Sequence, residues 1–403
     1  MSHDGPVGLS ARLPWDVPEN ALAARARDRR LHGDLLDLTE SNPTRIGLPT
    51  PTDALRAAIA RADLAVYEPA PLGLPAARAA VAAAYAAAGA GVDPASVVLT
   101  ASSSESCSFL FKLLCDPGDA VLIPEPSYPL YDYLVRLEGA VPVPYRLTFD
   151  GVWSIDLGSL DEALAAARAR GARPRAIVIA SPNNPTGSFA KRDELARLAA
   201  IAADADLAIV ADEVFADYAA APDPTRVSPA ALDPVVAAAA PVFSLGGLSK
   251  SCGLPHLKLG WIVVGGPHAE KTLAGLELVA DTYLSVGAPV QRALPDLLAL
   301  GAGIRAAIAA RVAANRAALV RALDAAPGCT LLPAEAGWSA IVRVPAVRSD
   351  EAWAAALVTD AGVLVHPGYF FDLRGGTFLV LSLLPEPGIF GEAIRRLVAH
   401  LGT

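Results

Sequence analysis

Lys250 stands in the run Gly246-Gly247-Leu248-Ser249-Lys250-Ser251, with no carboxylate within five residues on either side. A lysine so placed is either a solvated surface charge or an amine of depressed pKa at a strand end, the kind that forms Schiff bases. Asp212-Glu213 closes a short apolar run at 207–211. Asp212 can hold a cation or a protonated ring nitrogen, or serve as a cap or salt-bridge partner. Ser102-Ser103-Ser104 opens a helical stretch. It offers hydroxyls and free backbone N–H groups, which make an anion site or a simple N-cap. Pro124-Glu125-Pro126-Ser127-Tyr128-Pro129 and Ser181-Pro182-Asn183-Asn184-Pro185-Thr186-Gly187 complete the unusual segments. Other chemistries are excluded by type or spacing. HExxH and GxGxxG do not occur, and Ser249 stands where a phosphate-binding P-loop needs glycine before its lysine. Gly247 to Ser251 lacks the closing glycine of a nucleophile elbow.

All of these segments follow short apolar runs bounded by turn residues. The runs lie at 97–100, 120–123, 141–145, 176–180, 207–211, 242–245 and 260–264. Helical stretches at 105–114, 130–138, 160–170 and 193–203 separate most of them, the last with Asp193 as its expected cap. Such alternation predicts a largely parallel sheet covered on both faces, with ligands bound beyond the carboxyl ends of its strands. Residues 246–259 show no helical period, so the 260–264 strand is expected to run antiparallel. Residues 1–48 read as irregular and Pro-rich. A long helix near 304–325 and strand-like pieces at 339–344, 363–365 and 378–383 point to a smaller α+β domain. The expected division is a large α/β domain over 49–290 and a small one built from 1–48 plus 291–403.

The chain has 403 residues, 53% of them hydrophobic and 19% charged, which suits a folded protein with a large core. A net charge of −9 without basic runs argues against nucleic acid and anionic membrane as partners. Residues 1–20 contain no apolar leader segment, and charge, Gly or Pro interrupts every Ala-rich stretch, so a soluble cytoplasmic protein is expected. Cys107, Cys115, Cys252 and Cys329 show no CxxC spacing and read as reduced thiols. Six scattered histidines leave little for a metal centre, and none is expected. Chemistry in such a chain is expected to come from something it binds.

Taken in order, Asn184-Pro185-Thr186-Gly187, Asp212-Glu213-Val214-Phe215, and Leu248-Ser249-Lys250 followed by Leu259-Gly260-Trp261 resemble the pyridoxal-phosphate-dependent class I/II aminotransferases of fold type I. The resemblance covers residues 36–384. It implies a seven-stranded, mostly parallel sheet in the large, cofactor-binding domain, one strand antiparallel. It implies pyridoxal 5'-phosphate held as an aldimine by Lys250, whose freed amine then shuttles the substrate proton. Asp212 would keep the pyridinium nitrogen protonated, Asn184 would bond the ring O3′, and Tyr128 would stack on the ring. Ser102, Ser103, Ser104 and Gly247 would line the phosphate and ring site. Tyr67 would reach the cofactor of a neighbouring subunit, which implies a homodimer. The substrates implied are an amino acid and a 2-oxo acid.

Three positions depart from the family pattern. Lys258 replaces the phosphate-binding arginine, Phe215 replaces a tyrosine that donates to O3′, and Val380 occupies the position of the arginine that clamps the substrate α-carboxylate. Arg45 or Arg374 could supply the missing cation, or both could be surface residues. Ser41 and Asn42 are further pocket candidates, or an ordinary turn. The missing arginine leaves room for a lyase or decarboxylase of the same fold, and a catalytically silent binding relative is the third alternative.

Overall fold

The computed structural model describes residues 9, 10, 12–15, 20–63 and 65–402. Most of residues 1–20, read from the sequence as lacking an apolar leader segment, therefore lie outside the described residues. The strands are β1 (Leu36–Asp37), β2 (Val97–Thr100), β3 (Ala120–Glu125), β4 (Val141–Phe149), β5 (Trp153–Ile155), β6 (Pro174–Ala180) and β7 (Ala208–Asp212). They continue as β8 (Val242–Gly247), β9 (Gly260–Gly265), β10 (Thr330–Leu331), β11 (Ser339–Val344), β12 (Val363–Leu364), β13 (His366–Pro367) and β14 (Thr377–Ser382). The fold is α/β. Its large sheet has the order β2-β9-β8-β7-β6-β3-β4-β5. The pairs β3–β4, β3–β6, β6–β7 and β7–β8 are parallel. β9 is antiparallel to both β2 and β8, as its helix-poor connection predicted.

Why the central strands are apolar throughout follows from period-2 alternation with both faces covered. Leu99, Leu122, Ile177, Ile209 and Val263 enter one core, packed by helices Thr52–Ala60, Pro75–Ala87, Leu157–Ala169 and Arg192–Ala205. Their neighbours Val98, Val121, Val178, Val210 and Ile262 enter the other, packed by Ser103–Leu114, Leu130–Leu137 and Ala269–Tyr283. The second sheet, β10-β11-β14-β13, buries Ala340, Val342, Leu379 and Leu381 against helices Ala21–Leu31 and Pro387–Leu401. Its opposite face carries Ile341, Phe378 and Val380.

Several expectations are corrected. The large sheet has eight strands rather than seven, because Trp153–Ile155 folds back on β4 as an antiparallel edge hairpin. At three residues that strand is too short to show a period. The N-terminal segment is not wholly irregular: Asn20 caps helix Ala21–Leu31 by accepting from the N–H of Leu22 at 2.8 Å. The long helix begins at Ala288, not near 304, and runs to Leu323 through Pro295. Residues 246–259 contain one helical turn, Leu248–Ser251, and a 3-10 turn, Pro255–Leu257. Asp193 does not cap its helix; the N-cap is Lys191, whose N–H donates to Glu194 at 2.9 Å. The strand near 363–365 does not join the second sheet but pairs with β1.

Helix Ala288–Leu323 is long and apolar enough, by length and composition, to cross a membrane. Here Leu294, Leu297, Ile304 and Ile308 pack into the first core, Leu319 and Leu323 into that of the second sheet.

Candidate active site

The carboxyl ends of β3, β6, β7 and β8 open on one crevice, and the turn after β8 carries Lys250. The Tyr218 hydroxyl donates to the Lys250 carbonyl at 2.7 Å and fixes that turn. The Lys250 Nζ lies 5.6 Å from the centre of the Phe215 ring and 5.2 Å from that of Trp338. The two rings meet edge to face at 5.2 Å, and Tyr218 meets Trp338 the same way at 5.1 Å. Burial in this aromatic corner lowers the Lys250 pKa, while the charge of Asp212 opposes the shift. The outcome is an amine that gives up its proton more readily than a surface lysine.

Asp212 is the last residue of β7. Its Oδ2 accepts from the Tyr131 hydroxyl at 2.9 Å and its Oδ1 from the Val214 N–H at 3.3 Å. Burial raises its pKa; these two donors and Lys250 pull the other way. Tyr131, buried in helix Leu130–Leu137, was not singled out by the sequence. The spacing Tyr128-x-x-Tyr131, one helical turn, is the signal that could have found it. Replacing Tyr131 with phenylalanine leaves a buried carboxylate short of a donor. The expected cost is ~1–3 kcal/mol in thermal or urea unfolding, and about a tenfold loss of kcat with KM little changed. Unchanged kcat would show that Tyr131 does not position Asp212.

Neighbouring Glu213 is also buried, but fully satisfied. It accepts from Ser228 Oγ at 2.7 Å, Ala230 N–H at 2.8 Å and Ser244 Oγ at 2.8 Å. Burial dominates and pushes its carboxyl up to about 7. The folded state therefore holds this proton more tightly than the unfolded chain does. The resulting stability is complete below about pH 4.5 and is lost as pH rises through about 7. Relative to wild type, E213Q should gain roughly 3 kcal/mol between pH 4.5 and 8 in urea unfolding at each pH. A pH-independent difference would sink this assignment.

Ser102 is the N-cap of helix Ser103–Leu114, its Oγ accepting from the Glu105 N–H at 3.1 Å. That leaves the N–H groups of Ser103 and Ser104 without a partner among the described residues, at the positive end of the helix. Gly260 makes the approach possible, since a Cβ there would sit 2.9 Å from the Ser102 carbonyl carbon. Gly247 is buried and extended, and a Cβ on it would lie 3.1 Å from Gly260 Cα. Asn184 Oδ1 accepts from Ser339 Oγ at 3.0 Å, and its Nδ2 has no partner among the described residues and can donate. Lys258 is exposed at φ 49°, after the 3-10 turn.

Other sequence candidates are placed differently. Tyr128 is 48% exposed and Tyr67 71% exposed. Ser41 is exposed, and Asn42 Oδ1 is occupied by Thr44 N at 3.0 Å and Thr44 Oγ1 at 2.8 Å, an ordinary turn. Arg45 is exposed, 4.0 Å from Glu40, and Arg374 is bonded to Glu125 at 3.1 Å. Val380 is 2% exposed in an apolar cluster with Trp153, Ile341, Phe371 and Phe378, so no charge occupies that position. Trp338 and Ser339 reach the crevice from the second sheet, and no local signal marks them.

A half-buried amine, a half-buried carboxylate with its own donor, a free amide and unpartnered helix N–H groups suit a phosphorylated pyridine aldehyde. Residues 33–385 match the family model for aminotransferase class I and II. The chain is 30% identical to the valine–pyruvate aminotransferase of Mycobacterium tuberculosis, over 98% of both chains. It is 29% identical to a glutamate–pyruvate aminotransferase of Escherichia coli, over 73% of this chain and 71% of that one. Among solved structures, the N-succinyldiaminopimelate aminotransferase of M. tuberculosis superposes with a TM-score of 0.78 at 28% identity, covering 97% of this chain and 99% of that one.

Proposed function

The chain belongs to the class I and II aminotransferases, pyridoxal-phosphate enzymes that move an amino group between amino and 2-oxo acids, and on that premise we propose that Lys250 and Asp212 are its catalytic pair and that it acts on amino acids with apolar side chains. Pyridoxal phosphate, when bound, supplies the electron-withdrawing ring on which the amino group is carried. The Lys250 Nζ is the group that would hold the cofactor covalently at rest. Once freed, it would take the substrate α-proton from Cα and return it to the carbon on the far side of the nitrogen, two bonds away, a task suited to an amine whose proton is loosely held. Asp212, held by Tyr131, would keep the ring nitrogen protonated. Asn184 Nδ2 would donate to the ring oxygen. The Ser103 and Ser104 N–H groups would bind the phosphate, with Ser102 and Gly247 beside them and Lys258 adding charge. Tyr128 would cover the ring, and Phe215 and Trp338 wall Lys250 and exclude water.

The observation that carries the substrate class is the state of Arg45 and Arg374. Arg374 is hydrogen-bonded to Glu125 at 3.1 Å and Arg45 lies 4.0 Å from Glu40, both side chains largely exposed, so neither is a buried, uncompensated cation waiting for a second substrate carboxylate. The relatives named for valine, alanine and pyruvate support the same reading. The large unit is proposed to span 49–290 and the small one 1–48 plus 291–403, although the 290/291 boundary falls in the first turn of helix Ala288–Leu323. Exposed Tyr67 is proposed to serve the site of a second copy in a homodimer. Four free cysteines agree with a reducing, cytoplasmic setting.

The test is a single-turnover reaction of the loaded enzyme with L-alanine, L-valine and L-aspartate. Loss of the cofactor's visible band with one equivalent of 2-oxo acid, no ammonia, and preference for alanine or valine is expected. Release of ammonia would mean elimination chemistry, and preference for aspartate would overturn the substrate class.

A further inference from the structure

The residue that would have clamped the substrate α-carboxylate is Val380, yet an amino acid must still be held by that group. Arg316 offers the replacement. It projects from helix Ala288–Leu323, and its Nη2 makes one long hydrogen bond, to the Ser339 carbonyl at 3.4 Å. No carboxylate lies within ion-pair distance of it among the described residues, and burial alone lowers its pKa with no neighbouring charge acting on it. A largely buried guanidinium without a counter-charge is costly, and five donors with one long bond are poorly used. The other half-buried arginines of this helix all have partners: Arg292 faces Glu68 at 3.9 Å, Arg305 pairs with Asp217 at 3.3 Å, and Arg311 donates to the carbonyls of Ile46 and Leu384, each at 3.1 Å.

The surroundings link Arg316 to the crevice. Ser339, whose carbonyl it touches, donates its hydroxyl to Asn184 Oδ1 at 3.0 Å. The preceding residue, Trp338, has its ring 5.2 Å from Lys250 Nζ. Arg316, Ser339 and Asn184 thus form a hydrogen-bonded chain from helix Ala288–Leu323 to the turn that follows β6.

We propose, resting on the aminotransferase reading above, that Arg316 binds the substrate α-carboxylate in place of the arginine absent at Val380, reaching it past the N-terminal end of β11. Substrate binding then supplies the missing counter-charge. The planar fork meets the carboxylate with two parallel bonds, and Ser339 holds Asn184 beside it.

The test compares loaded wild type, R316Q and R316K in single turnovers with the twenty protein amino acids and with n-propylamine, which carries no carboxylate. A separate binding measurement uses propionate, read from the change it makes to the cofactor's visible band. For R316Q we expect a roughly 10²–10³-fold fall in kcat/KM for the best amino acid, carried by KM, and a similar weakening of propionate. R316K, which keeps the charge without the fork, should recover about tenfold of this. The rate with n-propylamine should stay within twofold in both variants. Unchanged amino-acid KM and propionate affinity in R316Q would overturn the proposal. Equal loss with n-propylamine in both variants would also overturn it, since a merely structural role predicts that. If wild type carries the visible band but converts no amino acid, the aminotransferase reading itself fails, and this proposal with it.

Discussion

K250A should reduce amino-group transfer by at least ~10⁴-fold, because one amine both anchors the cofactor and moves the substrate proton. The cofactor's visible band should disappear from the purified protein at the same time. Folding should survive. Removing the side chain deletes an amine that is uncomfortable in its aromatic corner between Phe215 and Trp338, and it leaves the Tyr218 bond to the residue-250 carbonyl in place. A soluble variant with a wild-type unfolding midpoint and no band is therefore expected. Added ethylamine, small enough for the space left behind, should restore part of the turnover and depend on the concentration of its unprotonated form. Residual activity within tenfold of wild type, or a retained band, would remove Lys250 from the mechanism.

The second large effect is expected of D212N. The carboxylate is replaced by an amide of the same shape, which still accepts from Tyr131 but carries no charge. Loss of a preorganised charge in a buried site costs on the order of 10²–10³-fold in kcat. The Lys250 amine responds too. Asp212 is the charge that holds its pKa up against burial, so the variant amine should titrate at lower pH than in wild type. Titration of the cofactor-free protein, followed by reaction of Lys250 with an amine-directed reagent, checks the direction. A kcat within tenfold of wild type would show that the charge is not used in the reaction.

The polar segments at Ser102–Ser104, Asn184, Asp212 and Lys250 were legible because each terminates a strongly apolar run. In a parallel sheet covered on both faces, such runs have one exit, the crevice. The antiparallel β9 was legible for a related reason, since fourteen residues without helical period, 246–259, cannot make a crossover. Features that depend on short or cross-chain pairing were not. Trp153–Ile155 is a strand because β4 offers it an edge, and the helix from Ala288 continues past Pro295 because both cores accept its faces. Tyr131, Trp338, Ser339 and Arg316 fall in this second group. None is unusual among its sequence neighbours, and each acquires a role only when a distant element is laid against it.

The sequence by itself determined the sheet's order of polar groups: which strand ends carry an amine, a carboxylate, an amide and a serine-capped helix start, and that Val380 brings no charge. It could do so because strand period, turn residues and residue type are local properties. Tertiary structure alone decided how those groups are tuned. The donor to Asp212 comes from a helix 81 residues away. The Trp338 ring beside Lys250 comes from the residue that leads into β11, and Arg374 finds its partner in Glu125. Desolvation and pairing depend on which groups fold into contact, and that is a property of the packed chain rather than of any segment of it.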